Sequence, residues 1–223
     1  MTPVETRSEP SSLRLVLTLG LTGLLSGLVL VGIYLATKPR IERNQAEALQ
    51  RAIFRVLPGT ESTTPMVLRD GRLTEWTEPG RPPEDGTIYA GFDAQGALVG
   101  YAIPADGSGF MDTIRLIYGF DPSRKVIVGM QVLDSRETPG LGDKIVGDEA
   151  FHANFRALAV EPDIVPVKHE TTAPNQVDCI TGATISSEAV VSILDRSAKR
   201  WVPVVAPADG GTPPQVSEVR DGR

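Results

Sequence analysis

The stretch that decides the fold is residues 87–103, TIYAGFDAQGALVGYAI. Two runs rich in β-branched, aromatic and other apolar residues, 87–92 and 97–103, flank the polar sequence DAQG at 93–96. Apolar runs of this length around a short turn that contains glycine are typical of a β-hairpin. The stretch therefore predicts two neighbouring antiparallel strands.

A second pair of runs and two helical patterns complete the predicted domain. The runs 112–119 and 126–133 flank DPSRK at 121–125, where proline presets the turn and aspartate can bond the backbone. Apolar residues recur at near-helical spacing over 144–158 and form one face over 187–201. The sequence thus predicts the α+β class, a small antiparallel sheet domain flanked by helices.

The N-terminal part of the chain predicts a single transmembrane helix. Residues 15–36 carry no charge, and at ~1.5 Å per residue they reach roughly 33 Å, enough to cross a hydrocarbon core of about 30 Å. A cleaved signal peptide is the weaker alternative, because its apolar part would be only about 7–15 residues long. We therefore expect an N-terminal tail at 1–14, a connector helix at 37–59, the domain at 60–201 and a disordered tail at 202–223.

Composition argues against several classes of partner and site. The net charge is −6 and the pI is near 5.0, without a Lys/Arg-rich run, which disfavours nucleic acid. Cys179 is the single cysteine, and with only His152 and His169 beside it a structural metal or iron–sulfur site is not expected. We expect Cys179 to be a small buried residue.

Residues 178–187, DCITGATISS, place the hydroxyl of Thr184 behind two small residues and just before a helical pattern. Gly182 and Ala183 leave room for a bulky group to approach the backbone, and a helix start offers unpaired N–H groups to an anion. These features indicate a phosphate-binding position. Ordinary N-cap chemistry is the alternative, since small and hydroxyl residues commonly precede helices.

Residues 136–145, RETPGLGDKI, directly follow a predicted strand. Pro139 and Gly140 suit a type II turn, and Gly142 can bring backbone N–H groups close to a ligand. Such a loop can wrap a flat ring or a phosphate, although as an isolated feature it is more often an ordinary turn, because Pro-Gly pairs mark turns in many proteins.

Together, behind an N-terminal span, the two motifs resemble those of the RnfG family of FMN-binding proteins, whose relative NqrC shares both. The resemblance covers most of residues 15–201, and residues 107–111, GSGFM, match the family's glycine-aromatic segment more loosely. In this family a flavin transferase joins FMN through its phosphate to the last threonine of Asp-x-x-Ser/Thr-Gly-Ala-Thr. That threonine corresponds to Thr184.

The resemblance implies the following site. Thr184 would bear the FMN phosphoester, and Asp178 would help the transferase to recognise or orient the motif. The other implied cofactor-binding residues are Thr181, Gly182, Ala183 and Ser187 in the motif, and Glu137, Thr138, Gly140, Leu141 and Gly142 in the loop. No catalytic residue is expected, because the flavin supplies the redox chemistry and the chain is a carrier rather than a stand-alone catalyst.

The implied function is electron transfer through covalent FMN within an Rnf-type, ion-translocating ferredoxin:NAD oxidoreductase, with its other membrane subunits and the flavin transferase as partners. The resemblance places the chain in the bacterial inner membrane with the domain on the periplasmic side. The charges flanking the span lean slightly the other way. The alternatives are an NqrC-like subunit of a sodium-pumping NADH:quinone oxidoreductase and a non-redox, membrane-anchored binding or assembly module.

Overall fold

The computed structural model describes residues 11–83 and 85–206, and the chain divides into two units, Met1–Glu47 and Ala48–Arg223. Helix α1, Ser12–Val56, begins in the first unit and ends in the second. It runs without interruption through the predicted span and most of the predicted connector, and Pro39 lies inside it. Its apolar part is exposed throughout, and by length and composition it is sufficient to cross a membrane.

The second unit is built on a seven-stranded antiparallel sheet in the order β2-β1-β3-β4-β5-β6-β7. The four strand-like runs of the sequence are the central strands β3 to β6, so the predicted hairpins are confirmed. The two outermost strands, β2 and β7, are four and two residues long. The strands are β1 Ser62–Arg69, β2 Arg72–Glu75, β3 Thr87–Phe92, β4 Leu98–Ser108, β5 Thr113–Asp121, β6 Val126–Asp134 and β7 Leu158–Ala159.

The helical pattern over 144–158 does not form one helix. It is divided into a 3-10 helix at Gly142–Val146, the short helix α2 at Glu149–Ala153 and a 3-10 turn at Asn154–Arg156. Gly147 ends the first piece, and the Asp148 side chain accepts a hydrogen bond from Phe151 N at 2.9 Å, which starts the second. A glycine followed by a good N-cap residue therefore overrides the apolar spacing.

The C-terminal part of the described chain leads into the last helix. A two-stranded parallel sheet, β8 Val165–Val167 and β9 Gln176–Asp178, precedes α3, Thr184–Val205. This helix extends past the predicted domain end at residue 201, so the first residues of the predicted C-terminal tail are helical. Residues 207–223 of that tail, and residues 1–10 of the predicted N-terminal tail, lie outside the described residues.

The two faces of the large sheet are covered differently. One face packs against α3 and forms the main core, which contains Tyr101, Tyr118 and Phe120. On the other face, Val56 and Leu57 at the end of α1 pack in a smaller cluster. We call the row of glycines that faces this chain end the glycine trough; its members are Gly91 on β3, Gly100 on β4, Gly119 on β5 and Gly129 on β6.

Candidate functional site

We call residues 178–187 the attachment motif, after the role expected of Thr184, and their central part is a tight turn that joins β9 to α3. Cys179 N donates to Val167 O at 2.8 Å, which continues the pairing of β8 and β9 by one residue. The turn closes where Ala183 N donates to Ile180 O at 2.9 Å. Gly182 has φ 83°, a conformation that side-chain-bearing residues rarely adopt. The turn thus requires a glycine at position 182, and α3 begins two residues later, at Thr184.

The start of α3 has no side-chain cap. The N-cap residue is Ala183, and no side chain bonds the first N–H groups of the helix. The N-cap alternative for the hydroxyl residues is therefore wrong for this helix. The unpaired N–H groups and the positive end of the helix dipole are left available to an anion.

The four hydroxyl groups of the motif differ in their availability. Ser186 and Ser187 are 3% and 0% exposed. Ser186 Oγ donates to Glu137 Oε2 at 2.5 Å, and Ser187 Oγ donates to Ala183 O at 3.0 Å while it accepts from Ile180 N at 3.2 Å. Thr181 is exposed and Thr184 is half-buried. Neither threonine hydroxyl has a hydrogen-bond partner within the described part of the chain, so these are the two hydroxyls free to react.

Glu137 lies beneath the loop rather than on its surface. Its side chain is 5% exposed. Besides the bond from Ser186, its carboxylate accepts from Phe110 N at 2.8 Å and from Met111 N at 3.1 Å, both through Oε1. One buried carboxylate thus joins the segment between β4 and β5, the loop after β6 and the first turn of α3.

Two glycines make room for this carboxylate. A Cβ at Gly142 would lie 2.6 Å from Ser186 Oγ and 2.8 Å from Glu137 Oε2. A Cβ at Gly109 would collide with Glu137 Oε1 and lie 2.7 Å from Asp112 O. All of these distances are shorter than packed side chains tolerate. The close approach of the three segments therefore depends on residues without side chains.

The loop after β6 forms the turn expected from its sequence. Leu141 N donates to Thr138 O at 3.1 Å, and Gly140 at the third position has φ 76°, as a type II turn requires. Gly140 has open space around it, whereas Gly142 is buried against Ser186. The loop thus has a buried base and an exposed tip.

Large apolar side chains are exposed around this joint. Phe110, Met111, Leu141 and Ile185 are 58%, 64%, 51% and 58% exposed. Phe110 and Met111 donate backbone hydrogen bonds to the Glu137 carboxylate. Leu141 and Ile185 are the chain neighbours of Gly142 and Ser186, which pack against it. Several exposed apolar side chains in one region of a soluble domain indicate a binding surface. We call these four side chains the apolar rim.

Phe110, Met111 and Ile185 were not predicted as site residues from the sequence. The GSGFM segment was the available signal for the first two. No sequence signal marked Ile185, because it resembles any other apolar residue of a helix. The structure brings the loop residues 137–142 to the attachment motif. It directs the hydroxyl of Ser187 into the interior.

Charge near the motif is mixed. Arg136 and Asp112 form an exposed ion pair at 3.6 Å beside the Glu137 joint. Cys179 is buried, as expected. Burial raises the pKa of its thiol, and the nearby Glu188 and Asp178 raise this pKa further while Lys168 lowers it. A thiol that resists ionisation is a poor nucleophile, so its surroundings favour a structural role.

Comparison with known proteins matches the chain in both parts. A family model described as the RnfG N-terminal region matches residues 1–56, and one described as the FMN-binding domain matches residues 109–199. The G subunit of the ion-translocating oxidoreductase complex of Methanosarcina acetivorans is 31% identical over 81% of this chain and 89% of its own length. The G subunit of the Na⁺-translocating ferredoxin:NAD⁺ oxidoreductase complex of Acetobacterium woodii is 33% identical over 52% of this chain and 56% of its own length.

The fold also has a solved relative. The crystal structure of NqrC from Shewanella oneidensis superimposes with a TM-score of 0.55 at 18% identity, covering 72% of this chain and 93% of that one. At this identity the likeness concerns the fold alone. The sequence relative from Methanosarcina acetivorans is closer and is matched over most of its length. On this evidence the chain belongs to the RnfG family, the G subunits of ion-translocating oxidoreductase complexes.

Proposed function

We propose that this chain carries FMN on Thr184 through a phosphoester and passes electrons within an Rnf-type, ion-translocating ferredoxin:NAD oxidoreductase. The observation that carries the proposal is the state of the motif hydroxyls. Ser186 and Ser187 are buried and bonded, whereas the Thr184 hydroxyl is unbonded at the first residue of an uncapped helix. A phosphate joined there would lie at the helix end that favours negative charge.

The residues present fit the two halves of FMN. The uncapped N–H groups at the start of α3 suit the phosphate. The apolar rim suits a flat, largely apolar ring system, and the tip of the loop at Thr138 and Gly140 can supply backbone groups to its polar edge. Gly182, exposed beside Thr184, leaves the approach open.

The chain's own contribution is to hold the cofactor in place and to shield it from solvent. FMN supplies the electron-transfer chemistry when it is bound. A covalent link keeps the cofactor beside the apolar rim without the cost of repeated association. No acid–base group of the chain is needed for this task. The Thr184 oxygen serves as an attachment point, and the other motif residues, Asp178, Thr181 and Ala183, shape the turn that presents it.

The proposal includes the partners and the side of the membrane. The family's G subunits belong to multisubunit complexes, and the apolar part of α1 anchors this chain in the membrane. A flavin transferase is the maturation partner that the motif implies, and the domain is then on the extracytoplasmic side. A protease added to sealed spheroplasts should digest the domain, whereas protection of the domain would place it in the cytoplasm.

The test of attachment compares Thr184 with an exposed threonine outside the motif. The full chain is produced together with a flavin transferase, separated on a denaturing gel and viewed for flavin fluorescence. Thr184→Ala should abolish the fluorescent band, and mass spectrometry of the parent should find FMN on Thr184. Thr171→Ala is the control, because it removes an exposed threonine hydroxyl outside the motif and the loop, and it should keep the band. A fluorescent Thr184→Ala chain would refute the assignment.

A further inference from the structure

A buried carboxylate with three hydrogen bonds, which join three separate chain segments, calls for an explanation beyond stability. Glu137 was expected to contact the flavin, yet its side chain is 5% exposed and both of its oxygens are engaged. Oε1 accepts the two N–H groups of Phe110 and Met111, and Oε2 accepts the Ser186 hydroxyl. Its oxygens thus face the protein rather than a bound ligand.

The groups that Glu137 holds belong to the two parts of the chain proposed to bind the cofactor, the attachment turn and the apolar rim. Ser186 stands two residues after Thr184 in the first turn of α3. Phe110 and Met111 are half of the apolar rim. The carboxylate therefore fixes the attachment oxygen relative to the surface proposed to receive the ring. Hydrogen bonds to a charged acceptor are short and strong, which suits this purpose.

We infer that Glu137 is a positioning residue: through Ser186 and the Phe110–Met111 backbone it sets where the tethered flavin ring rests, without touching it. The inference rests on the proposed function, because it concerns FMN on Thr184. It predicts that breaking the joint leaves the flavin attached but lets its ring move. A residue needed only for folding would lower stability and leave the ring's surroundings unchanged in the chains that fold.

The experiment measures the steady-state fluorescence anisotropy of covalently attached FMN in the purified full chain, together with amide hydrogen exchange at Phe110 and Met111. A ring held by the apolar rim turns with the whole protein, whereas a ring free on its tether turns on the timescale of exposed side chains. Ser186→Ala breaks only the bond to α3. It should lower the anisotropy by roughly two-fold, given the much faster local motion, and leave exchange at Phe110 and Met111 as in the parent.

Glu137→Ala removes all three bonds, so it should lower the anisotropy and also accelerate exchange at both amides. Glu137→Gln is the conservative rescue. Its amide oxygen can accept the two N–H groups, and its NH₂ group can donate to Ser186 Oγ. The flavin anisotropy and the amide exchange at Phe110 and Met111 should therefore stay near those of the parent. Glu188→Gln is the matched control for charge, since Glu188 is exposed one turn after Thr184 and is not part of the joint. If Glu137→Ala fails to fold, Ser186→Ala and Glu137→Gln still decide the outcome.

The possible results separate the two proposals. A parent chain without FMN would overturn the proposed function, and this inference with it. A flavinylated parent whose Ser186→Ala and Glu137→Ala variants keep the parental anisotropy would overturn this inference alone. An equal loss of flavin anisotropy in Glu137→Gln and Glu137→Ala would also contradict the inference, because glutamine keeps an oxygen that can accept the two N–H groups.

Discussion

Substituting Gly119 by alanine should strongly destabilise the second unit, because the glycine trough leaves no room for a side chain there. A Cβ at this position would collide with the carbonyl oxygen of Val56, and would lie 2.8 Å from its carbonyl carbon and 2.9 Å from Leu57 Cδ2. The obstacle is mainly backbone, so it cannot swing away as the end of a flexible side chain could. The end of α1 must move from the sheet, or the strand must bend.

The size of the effect follows from these contacts. Forcing extra atoms into a packed interior costs about 1–3 kcal/mol, and the backbone collision places Gly119→Ala at about 3 kcal/mol. For a unit of this size each kcal/mol lowers Tm by about 2–4 °C, so the expected fall is about 6–12 °C. Thermal unfolding of the full chain in detergent, followed by the fluorescence of the buried Trp201, measures it.

Two further glycine variants test the reasoning. A Cβ at Gly129 would lie 3.0 Å from Val56 O, so Gly129→Ala should cost less than Gly119→Ala. A Cβ at Gly147 would meet nothing within 4 Å, and its φ of −133° suits alanine, so Gly147→Ala should unfold close to the parent temperature. If Gly119→Ala unfolds at the same temperature as Gly147→Ala, the packing of the α1 end on the trough is refuted.

Three other predictions concern single groups near the core and the site. Burial and the neighbouring Glu188 raise the pKa of the Cys179 thiol, so its reactive thiolate forms at higher pH than in a free cysteine. Iodoacetamide should therefore modify it more slowly in the folded chain than in urea at the same pH, and equal rates would contradict this. Tyr118→Phe removes a hydroxyl 3.0 Å from Ser197 Oγ, which should cost about 1 kcal/mol in thermal unfolding, with a less than additive loss in the double variant with Ser197→Ala. Gly182→Ala forces a side chain into φ 83°, which should cost about 1 kcal/mol and slow the proposed attachment of FMN to Thr184. Attachment at the parental rate would show that the turn is not needed for it.

The central hairpins could be predicted because their signals are local. Apolar runs and turn sequences specify β3 to β6 within one continuous stretch. Residues 60–86, which contain β1 and β2, have no such pattern, because their prolines, glycines and charges interrupt the short apolar pieces. These two strands form because β1 pairs along β3 from Ser62 opposite Phe92 to Val67 opposite Thr87, a partnership distant in sequence.

The site was only partly predictable, because some of its contacts join residues that are distant in sequence. Short motifs identify the Thr184 turn and the Pro139-Gly140 turn, since each depends on residues adjacent in the chain. The burial of Glu137 depends on Ser186, 49 residues away, and on the backbone of Phe110, 27 residues away. A charged residue in a loop motif suggests contact with a ligand. Only the folded chain shows that this carboxylate faces inward.

The short outermost strands restrict how this domain can join its neighbours. Proteins that associate by strand addition, or that aggregate, use a row of unpaired backbone groups along a sheet margin. Here the strand at one margin, β2, is four residues long, and the strand at the other, β7, is two residues long and pairs only with Val126 and Ile127 of β6. Along the rest of β6, His152 Nδ1 of α2 lies 3.2 Å from Met130 O. Neither of these two outermost strands is long enough to template a strand of ordinary length. We therefore expect side chains on loops and helices, rather than β2 or β7, to specify assembly with other subunits, so that substitutions can alter one contact at a time.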